Sequence, residues 1–162
     1  MQSAPGTILS PIFSSIFWGL VLAVHLAGMA IWVGGMAYAL FVLRPSLGLL
    51  EATQRTSVHL QTLKRFFRLV WHVMPLVLVT GWAMEIFREG GVTGADWHIN
   101  VMQGLGILMA ALFAATYFGP FQRARRALRP QPATLERIRS LVSIKLLLGV
   151  VIVVVASLGH SF

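Results

Sequence analysis

Cysteine is absent from the chain. Disulfides, thiolate metal sites and cysteine-ligated iron–sulfur clusters are thereby excluded. Acidic residues are scarce too, five Asp and Glu against thirteen Lys and Arg. That is too few for a paired acid–base site, and Glu85 is the one carboxylate near a span interior. The sequence has no Gly-rich phosphate loop and no G-x-S-x-G, so nucleotide cradles and nucleophile elbows find no support. Charged residues of both signs reach only 11%, where a soluble domain carries about 25%.

What the chain has instead is apolar surface. Hydrophobic residues make up 57%, above the roughly 45–50% of soluble domains, and the charges cluster between long apolar runs. This is the composition of an integral membrane protein. A net charge of +8 invites a nucleic-acid reading. That reading fails, because the basic residues sit beside apolar spans, where topology and anionic lipid explain them. The opening MQSAPGTILSPIFSSIF has no basic residue before its apolar run. It is expected to be a retained span rather than a cleaved signal.

A helix needs about 20 mostly apolar residues to cross a bilayer. Four segments qualify, at about 16–43, 67–87, 97–118 and 141–160. The expected fold is all-α, a single four-helix transmembrane bundle filling 1–162, with Pro75 kinking the second span. The connections 44–66 and 119–140 are Arg- and Lys-rich, whereas 88–96 carries only Arg88 against Glu89 and Asp96. The positive-inside rule places both basic loops in the cytoplasm and both termini in the periplasm of a bacterial inner membrane. The pairs Ala23/Ala27 and Ala30/Gly34 have the small-xxx-small spacing of helix contacts.

The histidines carry the chemistry. His25 lies about one turn below the outer face by the helical rise. His98 opens the third span and His160 ends the fourth, so three histidines gather outward. His25-x3-Met29-x6-Met36 and His98-x3-Met102-x6-Met109 share one spacing. Each pattern puts a His and a Met one turn apart on one helix face, and Trp32 shares the face of His25. Two facing histidines could ligate a heme iron from both sides. With Met29 and Met102 the same residues could hold copper, since thioether sulfur favours Cu(I). The plainer alternative is a histidine hydrogen-bonded to a neighbouring helix and a methionine stripe that packs. Glu85 could add a ligand or proton acceptor near this outer site, or lie at the interface.

A second group lies toward the cytoplasm, where His72 and Lys145 have similar depth. They could form a proton path, or Lys145 and Arg68 could hold a propionate or an anionic headgroup. Lys145 could equally snorkel to the surface. The even spans open alike, Arg65-x3-Leu69-Val70 and Arg137-x3-Leu141-Val142, a hint of two copies of one hairpin.

Several of these residues resemble known families. His25, Trp32, Gly34-Gly35 and Leu43-Arg44-Pro45 resemble the copper-resistance protein D (CopD) family. So do Arg65-Phe66-x-Arg68-Leu69 leading to Thr80-Gly81, and the fourth span. The His25-x6-Trp32 spacing and Trp97-His98-Ile99 also resemble the HemJ-type protoporphyrinogen oxidases. The HemJ resemblance implies b-type heme, with His25 and His98 as candidate ligands. It departs at Asn100, where a Lys stands in those proteins, and so does not extend to porphyrinogen oxidation. The CopD resemblance implies copper uptake or tolerance.

Three functions therefore follow as expectations. The first is a heme b redox protein, a possible oxidoreductase exchanging electrons with quinone or a periplasmic carrier. Its cofactor residues would be His25, His98, Trp32, Arg68, His72 and Lys145. The second is copper transport or resistance through His25, His98, Met29 and Met102. The third is an accessory subunit of a larger membrane complex, or a homo-oligomer, with membrane lipid the common partner.

Overall fold

The computed structural model describes residues 6–91, 93–127 and 131–159; His160 lies outside them. The chain is helical nearly throughout: α1 (Gly6–Tyr38), a π-helical turn (Ala39–Leu43), α2 (Arg44–Ser46), a 3-10 turn (Leu47–Leu49), α3 (Ala52–Arg88), α4 (Trp97–Thr116), a second π-helical turn (Tyr117–Phe121), α5 (Gln122–Arg126) and α6 (Pro132–Gly159). No strand occurs among the described residues. Both wide turns have a proline cause. Proline has no N–H and crowds the preceding turn. Just before Pro45, the Arg44 N–H bonds the Ala39 carbonyl five residues back, and Pro120 lies inside the second π-helical turn.

Four helices are long and apolar enough to cross a membrane, as the sequence leads one to expect. They extend beyond the apolar runs. Residues 52–66 belong to α3 rather than to a connection. They contain no Gly or Pro, and Leu60, Leu63 and Phe67 share one face, so nothing stops the helix. Likewise α6 opens at Pro132, well before residue 141. Proline at a first helical position sacrifices no hydrogen bond. Helix α3 runs unbroken through Pro75.

Cross-helix contacts give the topology. Gly28 meets Val77 and Gly35 meets Phe66 across α1 and α3, Gly106 meets Leu78 across α3 and α4, and Val33 meets Gly149 across α1 and α6. Lys145 meets Thr116 across α4 and α6. Each pair is antiparallel, so the four long helices form an up-down-up-down ring, packed most extensively within the hairpins α1–α3 and α4–α6.

Lipid removes the hydrophobic drive between helices, so close packing must hold them. A methyl added to Gly28 would come within 2.5 Å of Val77 Cγ2, and one on Gly149 within 2.7 Å of Val33 Cγ2. Gly35 against Phe66 and Gly159 against His98 are further points of close approach. The expected pairs Ala23/Ala27 and Ala30/Gly34 instead face outward, and Gly34 has open space beside it. The inward turn of His25, Met29, Trp32 and Met36 sets the rotation of α1 and carries those four small residues to the opposite face.

The densest packing lies where α3 begins and α4 ends. Trp32, Met36, Phe67, Val70, Met109, Phe113, Phe121, Ile138 and Val142 are buried there. Large apolar side chains such as Phe13, Phe41 and Phe87 line the outside, each more than 70% exposed, the arrangement lipid requires. Toward the other end the interior is less full, and a cavity opens.

Candidate metal site in the four-helix cavity

The cavity has a volume of about 230 Å³ and touches all four long helices. Helix α1 contributes His25 and Met29, and α3 contributes Val77, Leu78, Gly81, Met84 and Glu85, with Arg88 and Glu89 at its end. Helix α4 contributes Ile99, Met102, Gln103 and Gly106, and α6 contributes Ile152. One imidazole, three thioethers and the carboxylates of Glu85 and Glu89, with the Arg88 guanidinium, thus line a small, largely apolar space. His25, Met29 and Met102 line this space together. Met84 and Gln103 were not foreseen, because their place depends on how α3 and α4 are rotated, which apolar pattern leaves open.

The tautomer of His25 follows from its partners. Its Nδ1 lies 3.0 Å from the Val77 carbonyl and 3.0 Å from Thr80 Oγ1. A carbonyl only accepts, so Nδ1 carries the hydrogen. The Thr80 hydroxyl donates its own hydrogen to the Leu76 carbonyl at 2.7 Å, leaving its oxygen free to accept. Nε2 is therefore the nitrogen with a lone pair. Metal-ligating histidines are typically held in this way, with the second ring nitrogen bonded to a carbonyl. Gly81 completes the seat, since a Cβ there would lie 3.1 Å from His25 Cε1. The sequence alternative of a histidine bonded to a neighbouring helix is thus met at one nitrogen and leaves the other unassigned.

His98 does not line the cavity. Its ring rests on the backbone of Gly159 and turns edge-on to Trp97 at 6.0 Å. It occupies the first turn of α4, one turn beyond Met102, and α6 ends against it. Trp32 packs edge-to-face on Phe113 at 6.4 Å, in the core below. The residues therefore do not fit a heme ligated by His25 and His98 with Trp32 alongside, and no chemistry is routed through one. Among the described residues no three or more His, Cys, Asp or Glu come together as a metal site. A metal in the cavity would find thioethers beside His25, Glu85 and Glu89.

The cytoplasmic group separates as well. His72 is exposed on the outer face of α3, its Nδ1 donating to the Arg68 carbonyl at 2.8 Å, and Arg68 is exposed too. Lys145 is neither beside them nor snorkelling. It is 1% exposed, with Nζ donating to Thr116 Oγ1 at 3.2 Å. The ammonium lies 5.6 Å from the ring centres of both Phe67 and Phe113, close enough for cation–π attraction. Thr116, which belongs to no motif of the sequence, gives up its own hydrogen to the Leu112 carbonyl at 2.6 Å. That leaves its oxygen for Lys145.

With this geometry in hand, comparison with known proteins narrows the reading. The family model described as copper resistance protein D matches residues 60–158, more than half of the 162 residues. The chain belongs to the copper resistance protein D family. It is a multi-pass membrane protein of copper-resistance type. The match takes in α4, α6 and most of α3, hence Thr80, Glu85, Met102 and Lys145, and leaves His25 and Met29 outside it. Neither the curated proteins nor the solved structures yield a match.

Proposed function

We infer that this protein handles copper at the membrane by binding Cu(I) in the four-helix cavity. His25 Nε2, Met29 Sδ and Met102 Sδ serve as donors, and Met84 supplies a further thioether. The observation that carries this reading is the fixed tautomer of His25, whose Nδ1 is committed to α3 while Nε2 keeps its lone pair in a thioether-lined space. Imidazole and thioether together select Cu(I) over hard cations. Family membership supports copper as the cargo. The charge pattern supports a bacterial inner membrane with the basic loops in the cytoplasm. The cavity, at the end where α3 gives way to α4, then opens toward the periplasm.

The test is titration of the purified protein in detergent with Cu(I), or Ag(I) as its redox-silent analogue, against a competing chelator. One tightly bound ion is expected. It is lost in His25→Ala and weakened in the double variant Met29→Leu/Met102→Leu, whereas His98→Ala binds as wild type does. A protein that binds neither ion overturns the proposal. A dithionite-reduced spectrum with the α and β bands of a b-type heme, bleached by His25→Ala, would replace it with the redox reading.

A further inference from the structure

Three polar side chains are buried in the described bundle: Glu85, Thr116 and Lys145. Thr116 and Lys145 satisfy each other. Glu85 differs. It is 2% exposed, and neither carboxylate oxygen has a hydrogen-bond partner. Arg88, one turn on, is exposed and forms no ion pair with it among the described residues. An unpartnered carboxylate is costly to bury and doubly so in a membrane span. Glu85 lines the cavity, so its oxygens can be satisfied by whatever occupies that space.

The neighbours indicate which occupant. His25 Nε2 and the sulfurs of Met29, Met84 and Met102 all offer electron pairs. An anion or a hydrogen-bond acceptor would find two donors, the Gln103 amide and Arg88 at the end of α3, whereas a cation finds the imidazole, three thioethers and the carboxylates of Glu85 and Glu89. The Glu85 carboxylate would bring a negative charge on binding a cation. That charge offsets a metal ion held where little water can.

We propose that Glu85 is the anionic oxygen donor of the cavity's metal site and sets its valence range. With His25 it forms the nitrogen–oxygen pair that binds Cu(II), while the thioethers bind Cu(I). One cavity would then accept copper in either oxidation state, holding each by a different subset of donors. This rests on the copper reading above, and its test separates the two.

Cu(II) binding is followed by electron paramagnetic resonance and Ag(I) binding by chelator competition, on wild type, Glu85→Gln and His25→Ala. In Glu85→Gln, Cu(II) affinity is expected to fall by about tenfold or more, the scale of losing a group that tunes a metal site, while Ag(I) affinity stays within about twofold. Loss of both ions in His25→Ala completes the pattern. Unchanged Cu(II) affinity in Glu85→Gln overturns the role of Glu85 and leaves the Cu(I) reading standing. Failure of wild type to bind Ag(I) overturns the copper reading and this proposal with it. Should Glu85→Gln fail to fold, infrared difference spectra of wild type with and without Cu(II) decide. A shifted glutamate carboxylate band is expected, and its absence overturns the proposal.

Discussion

Two ionisable side chains are buried at opposite ends of one bundle, and the protein treats them differently. Lys145 sits in the filled half, its ammonium held by Thr116 and flanked by Phe67 and Phe113. Glu85 sits in the open half, with the cavity beside it and no partner for either oxygen. A buried charge with partners holds packing in place. A carboxylate buried without them, lining the cavity that His25 also lines, is the group that the proposed metal would satisfy. The half around Lys145 is closely packed. Trp32, Met36, Met109 and Phe113 are each 1% exposed there.

If that division holds, substitutions in the two halves should have separable effects. The largest is expected for Lys145→Ala, which empties a fully packed position. By analogy with large-to-small core changes it should cost roughly 2–5 kcal/mol, read as earlier unfolding in a denaturing detergent titration, with metal affinity of the surviving folded protein unchanged. Lys145→Met keeps the volume and removes the buried charge. It should be neutral or stabilising, since replacing buried charges by well-packed apolar groups commonly is. A Lys145→Met protein that folds but no longer binds Ag(I) would join the two halves into one functional unit.

His25→Ala is the converse. It should lose more than about 100-fold in Ag(I) affinity, beyond the 10–100-fold that loss of an outer-shell partner costs, with little change in unfolding. Thr80→Val should fall between. It removes one acceptor from Nδ1 while the Val77 carbonyl remains. The interhelical bond itself is worth about 0.6 kcal/mol in a membrane bundle, but freeing the ring should weaken the metal about tenfold. Equal affinity in Thr80→Val would mean that the Val77 carbonyl alone sets the tautomer.

The sequence made one half more legible than the other. Four apolar runs and segregated Arg residues announce the bundle, and the four-residue spacing of His25 and Met29 announces a shared helix face. Matched depth alone paired His25 with His98, whereas the ring of His98 rests against Gly159, on the last helix. No local pattern reports such a contact. Lys145 read as a snorkelling or headgroup residue for the same reason, since its hydroxyl partner lies 29 residues away. Hydropathy ends at the charged residues, whereas helix formation does not, so the start of α3 passed for a connection. Glu85 was visible as the lone carboxylate near a span. Its burial, which gives it meaning, depends on the rotation of α3.

The smallest expected effect falls on Gly81, and it tests the open half most finely. The ring of His25 lies against the space where a Gly81 side chain would begin. A methyl there would stand 3.1 Å from Cε1 and 3.6 Å from Nδ1, a tight contact at the first atom and an ordinary one at the second. Gly81→Ala therefore presses on the carbon between the two ring nitrogens and does not sever the bonds from Nδ1 to Val77 and Thr80. The ring must tilt by a few tenths of an ångström, carrying Nε2 with it. If Nε2 is a metal ligand, that tilt should weaken Ag(I) several-fold, while the better helix propensity of alanine, worth about 1 kcal/mol at most, leaves stability equal or raised. If the imidazole served only to tie α1 to α3, affinity would not change and stability alone would respond. The ratio of those two responses distinguishes a ligand from a strut with a single added methyl.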